Sequence, residues 1–182
     1  MKKFSVFEIV FCAVMASLAI VLEKFVSLEI TTLIKLTFYG LPLLIVGVLF
    51  GFKHGLITGL VCGVTLQLTS KYGVGPTSIF WALAPISWGA ISGLVFEKMK
   101  CKNELLKIVV SVVCASLSAT ILNTIAMMSE IIIMNDEYYT YATILTNLPF
   151  RLLSMVILIV PYTIILKILV QTIKPLFSKK HF

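Results

Sequence analysis

A chain of 182 residues that is 59% hydrophobic and only 13% charged, with a mean hydropathy of +1.07, has too little polar surface to cover itself in water. Soluble domains average about 45–50% apolar and about 25% charged residues. The composition therefore excludes water as the solvent for most of the chain and leaves a lipid bilayer, and the net charge of +7 has to be read as a matter of which side of that bilayer the cations occupy.

Lys2 and Lys3 precede an apolar run, as in a secretory signal, but the run is too long for one and no A-x-A-like cleavage site ends it. It predicts the first of six spans: Phe4–Leu22, Leu36–Phe52, Gly55–Leu68, Ile79–Phe96, Leu105–Met134 and Arg151–Val170. The expected fold is all-α, an integral membrane six-helix bundle in a single domain. The second and third spans are short and Gly-rich, so they are expected to be tilted, broken or shielded by neighbours. The fifth is long enough to extend beyond the membrane. With the N-terminus inside, 11 of the 15 basic residues fall on inner segments; Lys24, Lys35, Lys71 and Arg151 fall outside. That asymmetry predicts cytoplasmic N- and C-termini in a bacterial-type cell membrane. No basic patch interleaved with aromatics points to nucleic acid.

Small residues carry the packing signal. Gly47, Gly51, Gly55, Gly59 and Gly63 recur every fourth position across spans two and three, and Gly89 and Gly93 repeat the spacing in span four. Such faces let helix backbones approach closely in lipid. A turn near Phe52–His54 is expected to interrupt the stripe. In span one, Cys12/Ala16 and Ala13/Ser17 form a further small face, suited to internal packing or to docking another membrane subunit.

Catalytic chemistry is sparse. The sequence lacks a G-x-x-x-x-G-K-[ST] loop, an HExxH, a G-x-S-x-G and paired carboxylates. Cys12, Cys62, Cys101 and Cys114 are scattered, without metal-ligand spacing, and no metal or cofactor is expected. His54 and His181 are expected to be solvated. Glu8, Glu130, Arg151 and Lys167 sit toward span ends, where long side chains reach the interface, and no carboxylate relay occupies a span centre. A solute moved uphill would take its energy from a partner.

Polar and aromatic groups gather on the outer side. Tyr39, Tyr72, Trp81 and Trp88 supply rings, Lys35, Lys71 and Arg151 supply cations, and Gln67 and Asn123 supply amides. Rings that stack and cations that pair with carboxylates suit a planar, anionic small molecule. The alternative for the rings is an aromatic belt at the headgroups, although Trp88 lies deeper than a belt residue. Arg151, the only arginine, suits a carboxylate; it equally suits anchoring span six or pairing with Glu130. Asn123 fits an interhelical hydrogen bond or a ligand contact.

Several stretches carry a family likeness: IVLEKF (Ile20–Phe25), IKLTFYGLPLLIVGVLFGFKHGLITGLVCG (Ile34–Gly63), WALAPISWGAISGLVF (Trp81–Phe96), LNTIAM (Leu122–Met127) and LPFRLLSMVILIVPY (Leu148–Tyr162). Together they resemble the substrate-binding S components of energy-coupling factor vitamin transporters, the last two the folate-type subgroup. The resemblance implies a six-helix bundle without enzymatic activity. It would capture a vitamin under the loops joining helices one to two and three to four, then associate with a membrane coupling subunit and two cytoplasmic ATPases. Ala13, Ala16 and Ser17, with Cys12 beside them, would contact the coupling subunit. Gln67, in VTLQLTSKYG (Val64–Gly73), stands near where many folate-type members carry an Asp, which leaves pantothenate or another small vitamin or precursor open. Rivals from other classes are a membrane scaffold or accessory protein and a small membrane-embedded enzyme.

Overall fold

The computed structural model describes residues 5–31, 34–71, 73–134 and 140–178, and His181 lies outside them. Helix α1 (Val6–Val21) begins at a reciprocal cap: Ser5 Oγ accepts from the Glu8 amide at 3.2 Å and Glu8 Oε2 accepts from the Ser5 amide at 2.8 Å. A π-helical turn, Leu22–Val26, extends it. A short antiparallel hairpin follows, β1 (Leu28–Thr31) and β2 (Ile34–Leu36), with Glu29 opposite Lys35. This small decoration of an otherwise helical molecule was not apparent in the sequence.

Helix α2 (Gly40–Phe50) ends at Gly51, whose φ of +86° is a left-handed conformation that glycine accepts without steric cost. The chain reverses there, and α3 (Phe52–Leu68) starts at once. Its first amide, from Phe52, donates to Glu97 Oε1 at 3.3 Å. The reversal is thus at Gly51 rather than at Phe52–His54, which form the first turn of α3. Helix α4 (Ser78–Lys98) contains Pro85. Helix α5 (Glu104–Ser129) is capped by Asn103 Oδ1, which accepts from the Leu105 and Leu106 amides, and runs into a π-helical turn at Glu130–Met134.

Helix α6 spans Tyr141–Ser178, ten residues earlier at its start than the sequence predicts. Leu148–Pro149 reads as a helix boundary because proline lacks an amide donor. Here the helix has already been nucleated at Thr140, whose Oγ1 accepts from the Thr143 amide, and it carries Pro149 and Pro161 within it. At 38 residues it would run about 57 Å if straight, so it tilts or projects beyond a hydrocarbon layer of about 30 Å.

Four helical segments, Val6–Val26, Ser78–Lys98, Glu104–Met134 and Tyr141–Ile173, are long and apolar enough to cross a membrane. Helix α2 is too short to do so alone. It is the shielded helix: residues 42–48 are all buried, and Leu44, Ile45 and Val48 pack with Ile108, Val112 and Ala115 of α5 and Tyr162, Leu166 and Val170 of α6. The outer surface is correspondingly apolar. Val10, Val14, Val64, Ile121, Ile157 and Val160 are all exposed, and each Å² of such surface costs roughly 25 cal/mol in water.

Glycines set the contact between α3 and α4. A Cβ at Gly55 would overlap the Gly89 carbonyl, and one at Gly89 would overlap that of Gly55. Gly59 faces Pro85 and Ile86, Gly63 faces Ala82, and Gly93 faces the Gly51–Phe52 peptide. Gly47 of α2 meets the same Gly89 backbone. The stripe therefore folds back at Gly51 so that both arms grip one face of α4. Gly55→Ala or Gly89→Ala should each cost about 1–3 kcal/mol through overpacking, read as a lower melting midpoint in detergent. Gly75→Ala, where an added carbon meets nothing within 4 Å, should change the midpoint little.

Candidate functional site

The antiparallel order brings one end of every helix together: the π-turn of α1, the start of α2, the end of α3, the start of α4, the end of α5 and the start of α6. Chemistry-bearing side chains converge there in two groups.

The first is a buried aromatic cluster, or basin. Trp88 on α4 and Tyr162 on α6 meet edge to face, with ring centroids 5.9 Å apart and planes at 66°. The Tyr162 hydroxyl donates to the Thr37 carbonyl at 2.9 Å, tying α6 to the segment before α2. Gly40 has to be glycine, because a Cβ would lie 2.8 Å from the Trp88 ring. Next to it Tyr39 is buried with Leu43, Cys62, Leu66 and Ala19, and Trp88 packs against that cluster. Glu23, one turn beyond Ala19, has a buried Oε2.

The second group is centred on the end of α5. Thr77 Oγ1 and Trp81 Nε1 both donate to Glu130 Oε1, at 2.7 and 2.9 Å. Arg151 Nη1 donates to Thr124 Oγ1 at 3.0 Å and contacts Met127 Sδ at 3.4 Å. On the α1 side, Lys24 Nζ donates to the Thr69 carbonyl at the end of α3. The segment from Thr69 to Thr77 is therefore held at both ends.

Of the residues singled out in the sequence, Tyr39 and Trp88 meet in the basin, while Trp81 and Arg151 both reach α5. Asn123, on the same helix, and Gln67, near the end of α3, are half-buried, and Lys71 is exposed. Lys35 stands in β2 opposite Glu29, and Tyr72 lies outside the described residues. Arg151 and Asn147 both belong to α6. Glu130 does not reach out to the interface; it is half-buried and holds two donors. Tyr162 and Thr77 were missed. The one tyrosine within the apolar run of residues 152–170 was the available signal for Tyr162; nothing in the local pattern marked Thr77.

At the opposite end, His54 is half-buried rather than solvated. Its Nε2 lies 3.4 Å from Glu8 Oε2 and its Nδ1 is 2.9 Å from the Phe50 carbonyl. The small face of α1 is divided. Ala16 is buried and Cys12 half-buried, beside a groove of about 210 Å³ against α3 that Ala13, His54, Thr58 and Val61 also line. Ala13 and Ser17 are exposed, with the Ser17 hydroxyl donating to the Ala13 carbonyl at 2.9 Å.

A family model described as "ECF-type riboflavin transporter, S component" matches residues 3–171. The chain belongs to that family. It is accordingly a transporter subunit of the membrane and not an enzyme. No match was found among curated proteins. Among solved structures the S-component fold is similar to one titled "Crystal structure of FolT bound with folic acid", with a TM-score of 0.57 and 23% sequence identity over 88% of this chain and 90% of that chain.

In this S component, Tyr162→Phe should leave the Thr37 carbonyl without its donor and cost about 1–3 kcal/mol. The melting midpoint reads this directly, and an unchanged midpoint would remove Tyr162 as a structural tie.

Proposed function

We propose that this protein captures a vitamin with a planar fused-ring head on the outer side of a bacterial-type cell membrane, folate-like by preference. It would deliver that vitamin to the cytoplasm with a membrane coupling subunit and two ATPases. The observation that carries the proposal is the convergence of Tyr39, Trp88 and Tyr162 at the same end of the bundle as Trp81 and Arg151. Rings present faces for stacking, and the guanidinium suits a carboxylated tail. The likeness to a folate-bound fold supports a pteridine head, and the description of the matching family model supports riboflavin as the second reading. Both are planar heterocycles, but only folate brings carboxylates for Arg151. Pantothenate has no ring to stack.

The basic residues favour cytoplasmic termini, and six crossings return both ends to one side. In the absence of an ATP-binding loop, transport energy comes from the partner module. Docking to the coupling subunit falls to the exposed part of the α1 face, at Ala13 and Ser17, with Cys12 and Ala16 packed behind it.

Titration of the purified protein with folic acid should quench tryptophan emission and saturate at about one ligand per chain. Trp88→Ala should weaken binding at least tenfold, about 1.4 kcal/mol. Riboflavin binding tighter than folic acid would transfer the substrate assignment, and binding of neither would remove the ring-capture proposal. For docking, Ala13→Trp should abolish co-purification with the coupling subunit while sparing ligand binding. Ala16→Trp should damage both, because Ala16 is buried.

A further inference from the structure

Glu130 occupies an unfavourable place for a carboxylate. It caps the C-terminal end of α5, where its own amide donates to the Ala126 and Met127 carbonyls, and the partial negative charge of a helix C-terminus repels an anion. It is also half-buried, which adds a desolvation cost. Two donors offset these costs, and both come from one face of the first turn of α4: Thr77 Oγ1 at 2.7 Å and, four residues on, Trp81 Nε1 at 2.9 Å, on the same oxygen.

We infer that Glu130 is a positioning residue for ligand capture, a two-point clamp that locks the Trp81 ring and the returning end of the 69–77 segment in their binding-ready arrangement. Its role presupposes the vitamin capture proposed above. With its N–H engaged by Glu130, the indole of Trp81 offers a ligand only its ring faces. Its orientation is set before the ligand arrives, so less side-chain freedom is lost on binding. At the far end of the same segment Lys24 holds the Thr69 carbonyl. Gly73, Val74 and Pro76 of this segment are exposed, the Gly75 amide donates to Ser78 Oγ, and the Glu130 anchor is the one that also orients a ring.

The clamp depends on an acceptor at Oε1, which glutamine retains and alanine loses. The test uses full-length protein in lipid nanodiscs, labelled with 15N-tryptophan, whose two indole N–H resonances are assigned with Trp81→Phe. Glu130→Ala should shift the Trp81 indole resonance upfield and raise the Kd for folic acid (or riboflavin, whichever the wild type binds) about tenfold, mainly through faster release. Glu130→Gln should keep the resonance near its wild-type position and hold the Kd within about threefold. Thr77→Val, which leaves the indole bond in place, should give an intermediate loss and covers the case in which Glu130→Ala fails to fold. Wild-type affinity and kinetics in Glu130→Ala would overturn the role. So would a Glu130→Gln protein as impaired as Glu130→Ala, since charge rather than the hydrogen-bond acceptor would then matter. If the wild type binds neither probe, the vitamin-capture proposal falls, and the clamp's role in capture falls with it; variant effects on a binding-competent wild type judge the clamp alone.

Discussion

Backbone meets backbone where α3 crosses α4, and the placement of the α4 side chains in the candidate site follows from that contact. Gly55 and Gly89 abut without an intervening side chain, with Gly59 against Pro85–Ile86 and Gly63 against Ala82 continuing the seam. In lipid there is little hydrophobic force to bring helices together, because the tails are as apolar as the side chains they would replace; close van der Waals approach has to supply the association. The seam sets the depth of α4, which places Trp88 over Gly40 and Trp81 opposite Glu130. A one-carbon addition in the seam would therefore displace both rings as well as weaken the bundle.

The second organising constraint is the enclosure of α2. Eleven residues do not cross a bilayer alone, yet this helix touches five others and contributes Tyr39, Gly40 and Leu43 to the basin. Its shortness is tolerable because lipid does not reach it; its unpaired helix ends are surrounded by protein and by the Gly51 reversal. Several hydroxyls within the helices are satisfied locally. Hydroxyls of Ser87, Ser92, Ser116, Thr120 and Thr124 donate to carbonyls three or four residues back, so they present no unpaired donor to the apolar interior. Other polar side chains reach between elements: Tyr162 to Thr37, Glu130 to Thr77 and Trp81, Arg151 to Thr124, and Lys24 to Thr69 lie toward the end proposed for ligand capture, and Glu97 to Phe52 and Glu8 to His54 lie at the other.

This division of labour fits a subunit that binds but does not drive transport. The end proposed for capture holds aromatic rings and cross-helix polar ties. The opposite end holds the Ser5–Glu8 cap and the Glu8–His54 pair. Between them α1 exposes Ala13 and Ser17 on a face whose bulkier neighbours, Val10, Val14 and Leu18, are also exposed. A helix so thinly attached to its own bundle has surface to offer to lipid or to a second membrane protein.

Composition alone determined the solvent, and hydropathy with glycine spacing determined the number of helices and the face on which they would pack. Those properties are local or periodic, so they survive in a one-dimensional string. Tyr39, Trp81, Trp88 and Arg151 could be singled out as candidates from residue type and position alone, and the packed bundle shows which elements they touch. The hairpin after α1, the early start of α6 across Pro149 and the roles of Tyr162, Thr77 and Glu130 were decided only in three dimensions. The contacts of Tyr162, Thr77 and Glu130 depend on partners distant in sequence: Thr37 lies 125 residues from Tyr162, and Thr77 lies 53 residues from Glu130. A hydroxyl or carboxylate has the same local pattern whether it faces water or a neighbouring helix, and only the packed bundle supplies the donor or acceptor that gives it a function.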